Sequence, residues 1–347
     1  MSLRLRPHTK NIPMSNAEVF QAVLSGGGLE SLDNLTIPHP SGRLSITRIG
    51  LRASIKFQNG HTPEKRQACL RVMRSFYEAF KDHITHWLPP DPAQQSLLRV
   101  EPDQFPIPDS PEAVFDADEN FDVELFGFLK AQKKREPCLY QAGVLCMPQD
   151  ESRKNSYFEA NIPLSWAVAH TFDSVRELVR TWSSILEAVH GTTGISLLFN
   201  DPNEYLRYSF FLLKKFPGID YEDPSQFNLQ VNSARSGGIK PFKIRTVSWL
   251  TILGTPIVEE LGGRQLIAAE LGPSCPIFDY SGGIVIQAMP VPQLGSMEDG
   301  LIPEGYKKVA KVTKPVRFEA YHRGIFENLP TPLDNMQETL SWLRRFD

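Results

Sequence analysis

The chain has 347 residues, 41% of them hydrophobic, which is enough to bury a large core and excludes a disordered protein. Its 37 basic and 40 acidic residues leave a net charge of −3, so no chain-wide basic field is available for non-specific nucleic-acid binding. The four cysteines, at 69, 138, 146 and 275, include no close pair, and no stretch approaches the roughly 20 apolar residues that span a bilayer. Arg4, Arg6, His8 and Lys10 are followed by no apolar segment of the kind that directs export. The expected location is the cytoplasm, with reduced thiols.

Residues 1–43 mix Gly26-Gly27-Gly28 with Pro7, Pro13, Pro38 and Pro40, the composition of a loosely structured arm with one short helix near 16–24. From residue 44 the pattern becomes regular. Ile49, Leu51, Ala53, Ile55 and Phe57 alternate with Gly50, Arg52, Ser54 and Lys56, which predicts a half-buried strand over 44–57; Ile46 is out of phase and predicts a bulge. Thr62-Pro63 then supplies an N-cap and a first-turn proline, and Cys69, Val72, Met73, Phe76, Phe80 and Ile84 recur at helical spacing.

Residues 88–118 are proline-rich and short of apolar runs, so a long excursion is expected there. Phe158, Ala160, Ile162, Leu164, Trp166 and Val168 alternate as a second strand, in which Pro163 implies an edge position or a bulge. Val175, Leu178, Val179, Trp182, Ile185, Leu186 and Val189 predict an amphipathic helix that starts at Thr171 or Asp173 and stops before Gly191. The strand-then-helix order of 44–84 thus recurs at 158–190. It suggests two related halves, and a division of the 44–347 domain near 150–200.

Beyond residue 195, short strands (195–199, 244–253, 283–289, 316–326) mix with helices near 202–214, 255–270, 303–312 and 334–346. This irregular alternation with hairpin-like turns predicts an α+β fold, a largely antiparallel twisted sheet packed with amphipathic helices. It argues against a doubly wound nucleotide fold.

A search for chemistry returns mostly absences. There is no nucleophile elbow, phosphate loop or His-Glu-x-x-His helix, and no carboxylate is followed two positions later by a lysine, as in many metal-dependent nucleases. His61, His83 and His86 lack a companion carboxylate or thiolate at ligand spacing, and helix ends favour histidine without any metal. Cys69 falls on an apolar stripe, and Cys275 precedes Pro276 without a visible histidine partner. Gly26-Gly27-Gly28 and Gly237-Gly238-Ile239-Lys240 read as turns, since neither follows a clear strand and opens a helix. Scattered residues such as Cys275, Asp279 and His322 leave an enzyme of unrecognised type open.

One electrostatic feature stands out. From Glu101 to Glu124 the chain carries nine carboxylates and no lysine or arginine, −9 against a whole-chain −3, which leaves +6 elsewhere. Phe105, Ile107, Val114, Phe115, Phe121, Leu125 and Phe126 are interleaved with them. One reading is a solvated acidic loop; the other is a recognition surface for a basic partner, in which Glu112, Asp116, Asp118, Glu119, Asp122 and Glu124 make the contacts.

The last third is a series of backbone-geometry residues: Trp249-Leu250, Leu261-Gly262-Gly263, Gly282-Gly283 with Ile286-Gln287, Pro292-Gln293-Leu294-Gly295, Ile302-Pro303 with Tyr306 and Val309-Ala310, then Pro315 to Phe318. In this order it resembles the bacterial type VI secretion immunity family, and the likeness extends more weakly to the strand 49–57, the helix after it and Trp342 to Asp347. The resemblance implies a non-enzymatic protein that binds a cognate effector toxin, a restriction-endonuclease-like nuclease, and so protects the producing cell. It implies no cofactor, no catalytic residue, no direct nucleic-acid contact and no membrane. Where some relatives have an acidic residue after the glycine at 295, this chain has Ser296, with Glu298 and Asp299 close by. An adaptor or scaffold of the secretion apparatus would also lack catalytic motifs, but would bind several components modestly rather than one toxin tightly.

Overall fold

The structure, a computed structural model, describes residues 16–90, 96–101, 103–109, 111–130, 132–200, 202–326 and 328–347. The chain runs α1 (Asn16–Leu24), β1 (Thr36–Pro38), β2 (Ser45–Phe57), α2 (Pro63–Phe80), β3 (His86–Leu88), β4 (Leu98–Arg99), β5 (Phe121–Gly127), β6 (Tyr140–Cys146), β7 (Ser156–Ile162), α3 (Leu164–His170), α4 (Phe172–Leu186) and β8 (His190–Leu198). It continues through α5 (Pro202–Lys215), α6 (Pro224–Val231), β9 (Leu250–Gly254), α7 (Thr255–Glu260), α8 (Arg264–Leu271), β10 (Ile277–Tyr280), β11 (Gly283–Gln287), α9 (Glu304–Thr313) and α10 (Asn335–Leu343). Among the described residues, eleven strands join one antiparallel sheet in the order β10-β11-β9-β8-β2-β7-β6-β5-β3-β4, with β1 on β2 beyond the end of β7. The α+β class and the antiparallel sheet are those read from the sequence.

Strand β2 is central, and its odd-numbered residues from Ile49 to Phe57 are apolar and lie on the helix-covered face, against α4, which packs on α2. Thr62 accepts the Lys65 N–H as N-cap of α2, and Phe76, Phe80 and Trp182 fill the layer between helices and sheet. Burial of each such side chain contributes about 1.5–3 kcal/mol. The bulge expected at Ile46 is present: Thr47 pairs with Ile37 and Ser45 with Pro38, so Ile46 is skipped. The strand is not half-buried as its alternation predicts. Ser54 and Lys56 are covered too, since the chain around α6 crosses their face.

Other expectations are corrected. The alternation at 158–168 is not one strand; Pro163 ends β7 and caps α3, so Leu164, Trp166 and Val168 are helical, and β7 is an interior strand between β2 and β6. Helix α4 begins after its Thr171 cap as read, but it ends at Glu187 in a left-handed conformation, and Gly191 belongs to β8. The single helix at 255–270 is two, because Gly262 and Gly263 both take positive φ, 88° and 92°, between α7 and α8. The strand at 244–253 begins only at Leu250, and 316–326 forms no strand, its extended part making one bridge between Ile244 and Arg317. Helix α6 and strand β10 carry no clear periodicity in the sequence and were not foreseen.

The described part of the N-terminal arm is docked. Asp33 accepts the Leu164 and Ser165 N–H groups, both at 2.8 Å, and Leu32 and Leu35 are buried. No helix among the described residues is long and apolar enough to cross a membrane.

Candidate functional site

Strands pleat, so the sheet face opposite α2 and α4 carries the even-numbered residues of β2, β5 and the odd-numbered ones of β6 and β7. Register aligns them: Glu124 lies opposite Gly143, Gly143 opposite Glu159, and Glu159 opposite Ser54. One row away Gln141, Asn161 and Arg52 are in line. On the β5, β6 and β7 side this face is left to solvent and forms a cleft of about 160 Å³, lined among others by Arg52, Asp122, Glu124, Tyr157 and Glu159.

Within the cleft, Arg52 donates through Nη2 to Glu159 Oε2 at 2.5 Å and through Nε to Oε1 at 3.2 Å, a fork-on-carboxylate pair. Gln141 Nε2 donates to Glu124 Oε2 at 3.0 Å. The Glu124 side chain crosses the sheet over Gly143, where a Cβ would come within 3.1 Å of its Cγ. Loss of water raises the Glu124 carboxyl to about 7, and the neighbouring Asp122 charge adds to this against the Gln141 hydrogen bond. Although Asp122 is exposed, the sheet face displaces enough water to raise its carboxyl to about 6. Three carboxylates thus face one guanidinium in a partly dry recess.

The remaining four predicted contact residues, Glu112, Asp116, Asp118 and Glu119, lie on the loop that leads into β5, and all are exposed. The loop is fixed from beneath by Arg66 of α2, fully buried, whose Nη1 donates to Ala113 O at 2.7 Å and to Asp116 O, and whose Nη2 donates to Glu119 O at 2.6 Å. Asp116 Oδ1 accepts the Asp118 N–H, closing a side-chain turn. Along the chain the six carboxylates follow one another into an acidic margin at the start of β5, four on the loop that Arg66 of α2 holds and two on β5 in the cleft. Sequence reasoning missed Arg52, Gln141, Tyr157, Glu159 and Asn161. Arg52, Glu159 and Asn161 occupy polar, off-phase positions of strands legible in the sequence, whereas β6, which carries Gln141, is not among the strands read there, and only register shows that these residues meet.

The other residues singled out in the sequence are placed separately. Cys275 is buried with Sγ 3.5 Å from Ala288 O, and burial raises its thiol pKa; Asp279 pairs with Arg264 on the surface; His322 Nδ1 lies 3.1 Å from Ser236 Oγ. No hydrogen bond links these three among the described residues. His83 stacks on Tyr140, His86 Nδ1 lies 2.9 Å from Thr85 Oγ1, and no group of three metal-ligating side chains forms among the described residues. Cys69 is in the core beside Cys146.

Fold and surface together define a large one-sheet α+β protein with an open polar cleft on one sheet face and an exposed acidic loop leading into β5. The chain belongs to the TsiV family, type VI immunity for VRR-NUC, whose profile matches residues 68–346. It is an immunity protein against a type VI nuclease effector, as the glycine and proline series of the last third implied, and its partner is the cognate restriction-endonuclease-like effector toxin. Among solved structures it is similar to the Pseudomonas aeruginosa T6SS protein PA0821, with a TM-score of 0.73 and 22% identity over 88% of this chain and 85% of that one. That likeness is one of fold. No curated protein sequence matches the chain.

Proposed function

We propose that the protein neutralises its nuclease effector in the cytoplasm by binding alone, without catalysis, and that the acidic margin of the sheet is the surface it uses. Supporting this is the succession of Glu112, Asp116, Asp118 and Glu119 on an exposed, Arg66-held loop directly before Asp122 and Glu124 in the open cleft. A nuclease must hold a polyanion, so its substrate-binding surface is basic, and an ordered array of carboxylates is complementary to it. Glu159 adds a further acceptor within the cleft, while Arg52 holds it in place.

The test is charge reversal of Asp116, Asp118, Glu119 and Asp122 to lysine, with association to the purified effector followed at several salt concentrations. Long-range attraction acts on encounter, so kon should fall about tenfold or more at low salt and lose most of its salt dependence. Cells expressing the variant should lose protection against the effector. Unchanged association and full protection would place the interface elsewhere.

A further inference from the structure

Within the acidic stretch the apolar side chains divide sharply. Ile107, Val114 and Phe121 are buried, whereas Phe115 is 63% exposed, more than any other large apolar side chain among the described residues. An aromatic ring held in water is unfavourable by itself, and along the chain this one stands among the exposed carboxylates Glu112, Asp116, Asp118 and Glu119. Its position is also fixed. Phe115 N–H donates to Glu112 O at 3.0 Å, Gln149 N–H to Ala117 O at 2.8 Å, and Arg66 gathers the carbonyls on both sides of the ring, those of Ala113, Asp116 and Glu119.

Arg66 itself is unusual. It forms no ion pair among the described residues although it is fully buried, and its hydrogen bonds go to backbone carbonyls, including Gly60 O at 3.0 Å. A buried guanidinium used this way serves the shape of the loop, because each carbonyl it holds is one the loop cannot satisfy within itself. A stiff ring on a pre-shaped loop loses little freedom when it docks, which is why aromatic side chains of this kind dominate interface energetics.

We propose that Phe115 is the apolar anchor of the effector interface, and that Arg66 is the positioning residue that holds it out. The inference rests on the acidic-margin reading and adds the chemistry of its occupant: a recess on the effector with an apolar floor for the ring, bordered by lysine or arginine side chains that meet the four loop carboxylates. The acidic charges govern encounter and the ring governs residence.

Phe115→Ala in the full chain, bound to purified cognate effector, tests this directly. The expected result is a rise in koff of about tenfold or more with kon within about twofold of the parent and an unchanged melting curve, since the ring packs on little of its own protein. Val168→Ala, an exposed apolar residue on α3, is the control and should alter neither rate. An unchanged koff for Phe115→Ala overturns the anchor; if the charge-reversed variant still associates slowly, the acidic margin survives that failure, and if it too binds normally, both fall. Arg66→Lys keeps the charge but cannot fork to the same carbonyls. In that background, Phe115→Ala should cost less than about twofold in koff, because the ring is no longer held out. A full tenfold cost there would overturn the positioning role, and the Phe115 arm decides the anchor whatever Arg66→Lys does to folding.

Discussion

On its β8 and β9 side, the sheet face opposite α2 and α4 is covered by α5, α6 and residues 244–246, whereas on its β5, β6 and β7 side the same face is open. Both sides carry charge, with opposite consequences. Under the cover, Lys56 Nζ donates to Glu222 Oε1 at 3.0 Å, Arg245 Nη2 to Glu222 Oε2 at 2.6 Å and to both oxygens of Asp220, and Arg345 lies 3.8 Å from Asp220. Burial alone would raise the Glu222 carboxyl, but Arg245 and Lys56 beside it hold it down, to about 2. His190 in the same pocket is kept neutral by burial and by Lys56, its pKa near 3. These groups are spent on one another. In the open cleft, burial raises the carboxyls of Asp122 and Glu124, and only Glu159 has a full ionic partner. Charge under the cover is paired within the fold, whereas Asp122 and Glu124 in the cleft form no ion pair among the described residues.

The largest break in this contrast should come from Arg245→Ala. It strands Asp220 and Glu222 in a buried pocket, and removing one member of such a network costs about 3–5 kcal/mol. Urea unfolding should show that loss as a lower midpoint with little change in slope. A cost below about 1 kcal/mol would mean that water reaches the pocket and that the two sides differ less than their burial indicates.

Glu159→Gln is the matching change on the open side. The Arg52–Glu159 pair keeps 15% and 18% of its side-chain surface in water, so Arg52 can be rehydrated when its partner is neutralised. The expected cost is about 1 kcal/mol, measured by the same unfolding experiment. A loss comparable to that of Arg245→Ala would show that the cleft is structural and would remove it from the interface.

The contrast also explains what could be read from the sequence. The core stripe of α2, its Thr62 cap and the bulge at Ile46 were legible because each is a local pattern with a local cause. The acidic stretch was legible as composition, down to Phe115 among its carboxylates. What was not legible depends on contacts between residues distant in sequence. Lys56 and Glu222 are 166 residues apart, so the polar phase of β2 read as solvent-facing when half of it is covered. Pro163 read as a flaw within a strand because period two continues by chance through Leu164, Trp166 and Val168, which are helical. Nothing in the sequence around Arg66 announces the loop carbonyls it holds, 47 to 53 residues away.

The last expected effect concerns pH. Glu124 has a folded-state pKa raised to about 7 from an ordinary 4.5, so between about pH 4.5 and 7 the folded chain holds a proton that the unfolded chain releases. The unfolded state binds fewer protons there, so stability declines as pH rises through this window and levels off above it. Asp122, raised to about 6, adds a contribution of the same sign over a lower range. In Glu124→Gln the first contribution is absent, so the melting temperature should fall less between pH 5 and pH 8 than in the parent, and the two curves should draw apart chiefly between pH 5 and 7. Binding should run the other way: the parent's effector affinity should strengthen as Glu124 ionises, and that part of its pH dependence should vanish in the variant. Parallel melting curves, or an affinity that weakens through this range, would show that the cleft carboxylates act neither as a cost to the fold nor as a gain to the interface.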